Sequence, residues 1–344
     1  MKIRLQNIIR DFKKARVLVV GDLILDEYIW GNVERISPEA PVPVVWANKK
    51  TYVPGGAANV ADNLRSLGAK VSLAGVVGPD HNRHTMLSQL HRNGIETKGI
   101  LTEQKRHTTL KTRVFARHQQ MVRIDWEHVH PIGSNVRRRL ADFIRKHITK
   151  FDAIIIEDYG KGVIDKILLK EIIPEARRRK KIITVDPKEE NLEAYKGVTS
   201  ITPNRKEAEN AVRYLKMKDR QNKFKIYDDG LVTMKDIKTA GQAILRHLNL
   251  QTLLITLGEQ GMWLFLKDGS DQHIPTVVQE VFDVSGAGDT TIATFTLALS
   301  CGAIPQEAAI LANFAAGIVV GKVGTAVTTA KELSERIQRY KIGS

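Results

Sequence analysis

The chain has 344 residues, of which 42% are hydrophobic, and it carries a formal net charge of +15 at pH 7. This composition supports a sizeable core, and its length allows one large α/β domain or two small ones. Because the sequence contains no flexible linker, we expect a single domain over residues 1–344. The single cysteine, Cys301, excludes an intramolecular disulfide and favours a reducing compartment, expected to be the cytoplasm.

The basic charge leaves two interpretations open. One is a protein that binds nucleic acid or a membrane surface. The other is a solvated basic surface around a site for anionic substrates. The densest basic runs, residues 137–139 and 177–181, have no interleaved aromatic residues, which favours the second interpretation and predicts no nucleic-acid partner. We expect no membrane span either, because no run approaches 18 uncharged apolar residues. The pattern at the N-terminus predicts an amphipathic helix on the surface of the fold.

Short apolar runs that end in a polar residue alternate with helical patterns along the chain. The predicted strands cover residues 17–20, 153–156, 182–185, 198–202 and 253–256, and the clearest helices cover residues 57–67, 134–149 and 235–248. This alternation predicts a mostly parallel sheet with helices on both faces. The polar residues that close the strands, among them Asp22, Asp158, Asp186 and Asn204, should then converge at the carboxyl edge, where open α/β folds bind ligands.

Two segments have a β pattern without helices to cover them. Residues 28–53 contain short apolar pieces split by Gly31 and by prolines. Residues 109–126 alternate cleanly, with Leu110, Thr112 and Val114 on one face, and turn at residues 118–120. We expect both segments to form one small sheet that projects from the main domain, as a lid over the carboxyl edge or as a dimer surface.

The first motif with a chemical meaning is P-G-G-A-A-N-V-A at residues 54–61, where Gly55 and Gly56 open a predicted helix. A substrate hydroxyl could approach that backbone and bond to the side chain of Asn59. Asp22 and Asp26, earlier in the chain, add the carboxylates that a polyol needs. The alternative is an ordinary turn before a helix.

The second motif is T-P-N-R-K-E at residues 202–207. Asn204 can cap the helix that follows, and Glu207, three residues later, can close a capping box. The functional alternative gives both side chains to the hydration shell of a Mg²⁺ ion carried by a nucleotide, since Mg²⁺ keeps most of its waters.

The strongest motif is V-S-G-A-G-D-T-T at residues 284–291, between a predicted β run over residues 279–284 and an apolar helix over residues 292–300. The N–H groups of Gly286, Ala287 and Gly288 would form an anion site at a helix N-terminus. Asp289 repels an anion, but it suits a site that must also deprotonate a hydroxyl, as phosphoryl transfer to an alcohol requires. The alternative is an aspartate that only caps the helix.

In this order, the Gly-Gly, N-x-x-E and G-A-G-D motifs resemble those of the ribokinase-like (PfkB) carbohydrate kinases, and the resemblance covers residues 17–329. It implies an α/β fold of the ribokinase-like kind, with a mostly parallel sheet, helices on both faces and a small β-sheet lid. It also implies ATP and Mg²⁺ as cofactors and a homodimer formed through the lid.

Residues 35–44, R-I-S-P-E-A-P-V-P-V, are similar to a branch of that family with a narrower substrate. Those kinases phosphorylate O1 of D-glycero-β-D-manno-heptose 7-phosphate, making the 1,7-bisphosphate for ADP-heptose and lipopolysaccharide synthesis. Many are fused to a nucleotidyltransferase with an H-x-G-H motif. This sequence has no such motif and is similar to the stand-alone form.

The resemblance implies a role for each matching position. Asp289 is the base, Gly286, Ala287 and Gly288 form the anion hole, and Asn59 binds the sugar together with Asp22, Asp26, Gly55 and Gly56. The implied ATP-side residues are Lys188, Asn204, Glu207, Thr256, Gly258, Gly261 and Asn313. Glu207 is expected to reach Mg²⁺ through water.

A heptose 7-phosphate also needs a second anion site, beyond the tail of the sugar. The predicted hairpin over residues 109–126 offers Lys111, Arg113, Arg117 and Arg123 for it, and Arg117 and Arg123 are favoured because they flank Gln119-Gln120. These side chains could instead extend into solvent from an exposed sheet face. Two other functions stay open: a kinase for another sugar phosphate or a nucleoside, and a nucleotide-binding regulator without turnover.

Overall fold

The computed structural model describes residues 1–117, 119–218, 230–277, 281–322, 324 and 326–340. The strands in these residues are β1 (Arg16–Gly21), β2 (Leu23–Ile36), β3 (Pro43–Gly56), β4 (Lys70–Val77), β5 (Glu96–Thr102), β6 (Thr109–Ala116), β7 (Gln119–Trp126), β8 (Ala153–Glu157), β9 (Ile182–Asp186), β10 (Ser200–Ile201), β11 (Thr252–Thr256), β12 (Met262–Leu266) and β13 (Asp271–Ile274). The helices are α1 (Lys2–Asp11), α2 (Ala57–Ser66), α3 (His81–Arg92), α4 (Ser134–His147), α5 (Lys166–Arg178), α6 (Arg205–Lys218), α7 (Met234–His247), α8 (Ala287–Ser300), α9 (Pro305–Val319) and α10 (Ala330–Arg339).

Nine strands form the main sheet, in the order β13-β12-β11-β10-β9-β8-β1-β4-β5. All neighbours from β11 to β5 run parallel, which confirms the predicted mostly parallel sheet. The antiparallel edge formed by β12 and β13 was not predicted. The turns that join β11, β12 and β13 are too short to contain an α-helix, so the strand–helix alternation used for the prediction is missing here.

Helices cover both faces of this sheet because its central strands are apolar on both sides. In β1, Val17 and Val19 pack into one core with α2, α8 and α9, whereas Leu18 and Val20 pack into the other with α4, α5 and α7. Strands that are buried on both faces appear in the sequence as continuous apolar runs, and for this reason they could be predicted. The sheet therefore sits as a middle layer and leaves its carboxyl edge free to carry polar residues.

Helix α1 packs on the surface of the fold and confirms the amphipathic helix predicted at the N-terminus. It buries Leu5, Ile8 and Ile9 and exposes Asn7 and Arg10. Among the described residues, every helix is too short or too polar to cross a membrane.

The second sheet has four strands in the order β3-β2-β6-β7 and confirms the predicted small sheet; we call it the lid sheet. Its strands extend beyond the predicted segments, since β2 starts at Leu23 and β3 ends at Gly56. The predicted alternation of β6 is also observed: Lys111 and Arg113 lie in register with Asp26 and Tyr28 of β2. Gln119 and Gln120, expected in the turn, already belong to β7, while Arg117 turns with φ +47° and His118 lies outside the described residues.

The predicted β run over residues 279–284 is wrong for its described part. Residues 281–284 form no strand, and positions 279 and 280 lie outside the described residues. The N–H groups of Phe282 and Asp283 donate to the carbonyl of Val320, and the Asp283 carboxylate accepts the N–H of Ser285. The backbone is thus bonded to the end of α9 and to a local turn, which leaves no ladder for a strand.

Candidate active site

The polar residues that close the central strands meet at one edge of the main sheet, as predicted. Their backbones are bonded to one another: the N–H of Asp22 donates to the carbonyl of Glu157, and the N–H of Asp158 to that of Asp186. Asn204 forms an isolated parallel bridge with Thr256. The N-termini of α2 and α8 face the same edge, since their residues Asn59 and Asp289 are in contact.

Asp289 lies in the first turn of α8, which starts from Gly286 in a left-handed conformation with φ +79°. Glycine suits this position because a side chain there would be strained. The Asp289 side chain does not cap the helix. Its two oxygens instead accept hydrogen bonds from Asn59 Nδ2 at 2.5 Å and from the Tyr159 hydroxyl at 2.6 Å.

The carboxyl group of Asp289 is buried, and burial raises its pKa to about 6. The hydrogen bonds from Tyr159 and Asn59 oppose this shift of the pKa, and the negative charge of Asp26 adds to it. A carboxylate with a raised pKa close to neutrality, held by two donors, is suited to accept a proton from a bound hydroxyl.

A chain of buried side chains fixes the amide of Asn59. Thr290 Oγ1 donates to Asn63 Oδ1 at 2.7 Å, and Asn63 Nδ2 donates to the backbone carbonyl of Asn59 at 2.9 Å and to Asn59 Oδ1 at 3.2 Å. Because Asn59 Oδ1 is an acceptor, Nδ2 must point towards Asp289. Hydrogen bonds between α2 and α8 therefore fix the P-G-G-A-A-N-V-A motif, the predicted sugar motif, against the G-A-G-D turn.

Asp26 and Arg113 form the neighbouring wall of the site. Arg113 Nη1 donates to Asp26 Oδ1 at 2.5 Å, and Asp26 Oδ2 lies 2.5 Å from where a Cβ at Gly55 would stand. The glycine is thus required by the close approach of this carboxylate. Gly56, with φ +56°, precedes the first residue of α2. Four predicted sugar residues, Asp26, Gly55, Gly56 and Asn59, are brought together.

Asp22 is placed differently from the other predicted sugar residues. Its oxygens accept the backbone N–H groups of Tyr159, Lys161 and Val163 at 2.9–3.0 Å, and it is almost fully buried. Burial raises the pKa of Asp22 to about 6, against the effect of these bonds. The carboxylate therefore anchors the loop that carries Tyr159, and sugar binding by Asp22 stays a prediction.

The residues predicted to bind the nucleotide lie at or after the carboxyl ends of β9, β10 and β11, except for Asn313, which lies on α9. Asn204 and Glu207 form the capping box, with Asn204 N–H donating to Glu207 Oε2 at 2.8 Å and Glu207 N–H to Asn204 Oδ1 at 2.9 Å. Asn313 Nδ2 donates to the carbonyl of Pro275 at 2.8 Å. The other predicted nucleotide residues are Lys188, half-buried beside Asp186 and Glu207, Thr256 at the end of β11, and Gly258 and Gly261, both with positive φ.

The sequence around this site matches that of known proteins. A family model described as pfkB family carbohydrate kinase matches residues 14–332. The chain belongs to this family. It is 45% identical over 331 residues to the bifunctional protein HldE of Geobacter metallireducens, a match that covers 95% of the chain and 64% of that relative. This sugar kinase thus spans less than two thirds of the length of the HldE protein.

Solved structures show the same ribokinase-like fold. The ribokinase of Arabidopsis thaliana, determined with ribose and ATP, matches 95% of this kinase and 99% of its own chain, with a TM-score of 0.73 and 17% identity. Phosphofructokinase-2 of Escherichia coli, determined with substrates and products, matches 94% of the kinase and 98% of its own chain, with a TM-score of 0.74 and 18% identity.

The predicted basic cluster of this kinase lies on the lid sheet but is not a set of free charges. Three of its members lie on the sheet face that carries Asp26, namely Lys111, Arg113 and Arg123. Each forms an ion pair within 4 Å: Lys111 and Arg123 with Asp125, and Arg113 with Asp26. Arg117 is exposed at the turn.

Two residues at the site of the kinase carry no predicted role. Tyr159 donates to the candidate base, and Glu157 is buried beside it. Glu157 is the last residue of β8 and Tyr159 lies two residues after it, where the polar residues that close a strand predict site residues. That signal marked Asp158, whose carboxylate instead accepts from Tyr195 and Asn191.

Proposed function

We propose that the kinase transfers the γ-phosphate of ATP to O1 of D-glycero-β-D-manno-heptose 7-phosphate. The observation that carries the chemistry is the buried Asp289, held by Asn59 of the sugar motif at the N-terminus of α8. The narrower substrate is supported by the R-I-S-P-E-A-P-V-P-V segment at residues 35–44 and by the identity to HldE proteins. The single Cys301, without a disulfide partner, supports the cytoplasm as the compartment.

In the proposed mechanism, the anomeric hydroxyl lies between Asp289 and the γ-phosphate. Asp289 accepts its proton as the sugar oxygen attacks the γ-phosphorus in line, while the bond from that phosphorus to the β–γ bridging oxygen breaks and ADP leaves. An oriented base of this kind raises the rate by about 10²–10⁴-fold. The first turn of α8 offers N–H groups to the phosphoryl oxygens, although the Ala287 N–H also donates to Val284 at 3.2 Å. Closure of the lid sheet would exclude water as a competing acceptor.

The Mg²⁺ ion that accompanies ATP fits the donor set around Glu207. One oxygen of this half-buried carboxylate accepts the Asn204 N–H, which leaves the other for a water of the ion. When bound, the ion supplies positive charge to the triphosphate. Lys188, whose positive charge acts on Glu207, adds a second cation on the same side.

Turnover with a panel of acceptors tests the substrate. ATP consumption should be fastest with heptose 7-phosphate, and the product should carry phosphates at O1 and O7. Faster turnover with another sugar phosphate or a nucleoside would favour that kinase instead. The absence of turnover with every acceptor would favour a nucleotide-binding regulator.

Replacing Arg123 tests the proposed site for the phosphate of the sugar. Arg123→Ala is expected to raise KM for heptose 7-phosphate by roughly tenfold or more and to leave KM for ATP unchanged, since a hydrogen bond to a charged group contributes about 1.5–3 kcal/mol. Steady-state kinetics with phosphorylated and unphosphorylated heptose measure this. Arg178→Ala, at an exposed position of α5, is the matched control. Equal losses for both sugars would assign Arg123 a structural role.

We further propose that the kinase is a homodimer joined through the lid sheet. Alternate residues of β7, namely Val122, Ile124 and Trp126, expose an apolar face that a two-fold partner could bury. Light scattering should give twice the chain mass of 38.5 kDa. Ile124→Asp should shift the mass towards a monomer, whereas Ile167→Asp, at an exposed position of α5, should not. A monomer in the wild type would contradict the proposal.

A further inference from the structure

The amino edge of the main sheet, opposite the active site, carries a cavity of about 510 Å³. It lies where three neighbouring strands begin, because Arg16, Lys70 and Glu96, the first residues of β1, β4 and β5, line it. A cavity of this size can hold a small-molecule ligand. Parallel strands separate it from the carboxyl edge, and it shares no lining residue with the site around Asp289.

The lining of this cavity is strongly basic. Its six cationic side chains are Lys13, Arg16, Arg65, Lys70, Lys98 and Lys150. The lining has one carboxylate, that of Glu96, which pairs with Lys98 at 3.3 Å. Among the described residues, the other five cations form no ion pair with a carboxylate. The positive charge is therefore largely uncompensated and suits a ligand with several negative charges.

Arg65 is held in an orientation that suits such a ligand. Its Nε donates to the carbonyl of Asn93 at 3.2 Å, and its Nη1 donates to that of Ala69 at 3.4 Å. Gly94 lies against the guanidinium, since a Cβ at that glycine would stand 3.1 Å from Arg65 Nε. A guanidinium has five N–H donors, so this fixed group keeps donors for the oxygens of a phosphate.

One wall of the cavity is aromatic. Phe143 and His147 of α4 are half-buried, and their ring centroids lie 4.5 Å apart. A nucleobase can stack on partly exposed rings of this kind, whatever its identity. Basic side chains beside an aromatic wall are the combination that a nucleotide requires.

We propose that this cavity binds a nucleoside polyphosphate, with its phosphates among the cations and its base against Phe143 and His147. The proposal gives a role to part of the basic charge of the chain, which the acidic carboxyl edge does not use. It goes beyond the kinase reaction, because binding at the amino edge needs neither the sugar nor the base Asp289.

Calorimetric titration of the full chain with ADP tests the inference. Lys70→Gln/Lys150→Gln removes two exposed cations of the cavity and should weaken one ADP-binding event by roughly tenfold or more, since each lysine can form a charged hydrogen bond to phosphate. Lys166→Gln/Lys170→Gln, which changes two exposed lysines of α5, is the matched control and should leave ADP binding unchanged. Neither pair belongs to the active site, so kcat should keep its wild-type value in both variants.

Pyrophosphate provides a second arm of the test. It has the phosphates without the base, so it should bind the cavity about fivefold more weakly than ADP. Pyrophosphate that bound there as tightly as ADP would overturn the assignment of a nucleotide.

Two further results would overturn the proposed site. One is ADP binding with the same number of sites and the same affinities, up to about 1 mM, in the wild type and in Lys70→Gln/Lys150→Gln. The other is an equal loss in the control pair, which would indicate general attraction to positive charge. Heptose turnover reports on the opposite edge of the sheet, so its failure would leave this result unaffected.

Discussion

Asp289→Asn is expected to keep the fold and ATP binding but to lower kcat by about 10³-fold, because an amide cannot accept the proton of the attacking hydroxyl. The substitution keeps the size of the side chain. The Tyr159 hydroxyl can still donate to the amide oxygen, but the new NH2 group then faces Asn59 Nδ2. Thermal unfolding of the variant therefore accompanies the kinetics, so that a loss of chemistry is separated from a disturbed site. Steady-state kinetics measure kcat, and calorimetric titration measures ATP affinity.

A distant aspartate provides the control for this experiment. Asp268 lies in the exposed turn between β12 and β13, where its side chain accepts from Ser270. Asp268→Asn should therefore leave kcat unchanged. An Asp289→Asn enzyme that retains a tenth of the wild-type kcat would remove Asp289 from the role of base.

The fold was predictable because burial imposes periodicity. β1 and β8 are covered on both faces and appear as continuous apolar runs, whereas β6 has one face towards the site and alternates. The predicted strand at residues 279–284 failed because its described backbone groups bond to Val320 and to a local turn. Apolar composition alone does not reveal such a partner.

The site was predictable to the level of its motifs but not of its contacts. Asp289 and Asn59 belong to segments whose glycines and polar residues mark them as ligand-binding. The sequence does not show that the carboxylate of Asp22 faces a loop, since a polar residue at a strand end can meet either a ligand or a neighbouring backbone. The contact of Tyr159 with Asp289 depends on that same loop, and it could be found only after the chain was folded.

Asn59→Asp is expected to lower kcat at pH 7 by roughly 10²-fold, because it places a second carboxylate against Asp289. In the wild type, Asn59 Nδ2 donates to Asp289 Oδ2 at 2.5 Å, and both side chains are buried. Two carboxylates at that distance share a proton, so the pKa of one of them rises further above the value of about 6 that burial already gives Asp289. A base that holds a proton at pH 7 cannot accept another.

The pH dependence separates this effect from a loss of structure. As pH rises, the shared proton of Asn59→Asp is released, so kcat should recover towards the wild-type value. Asp289→Asn has no proton to release and should stay inactive at every pH. Steady-state kinetics between neutral and alkaline pH, alongside thermal unfolding of each variant, make the comparison. An Asn59→Asp enzyme with wild-type kcat at pH 7 would show that the Asn59–Asp289 contact does not govern the base. A loss that persisted unchanged at high pH would point instead to a role for Asn59 in binding the sugar.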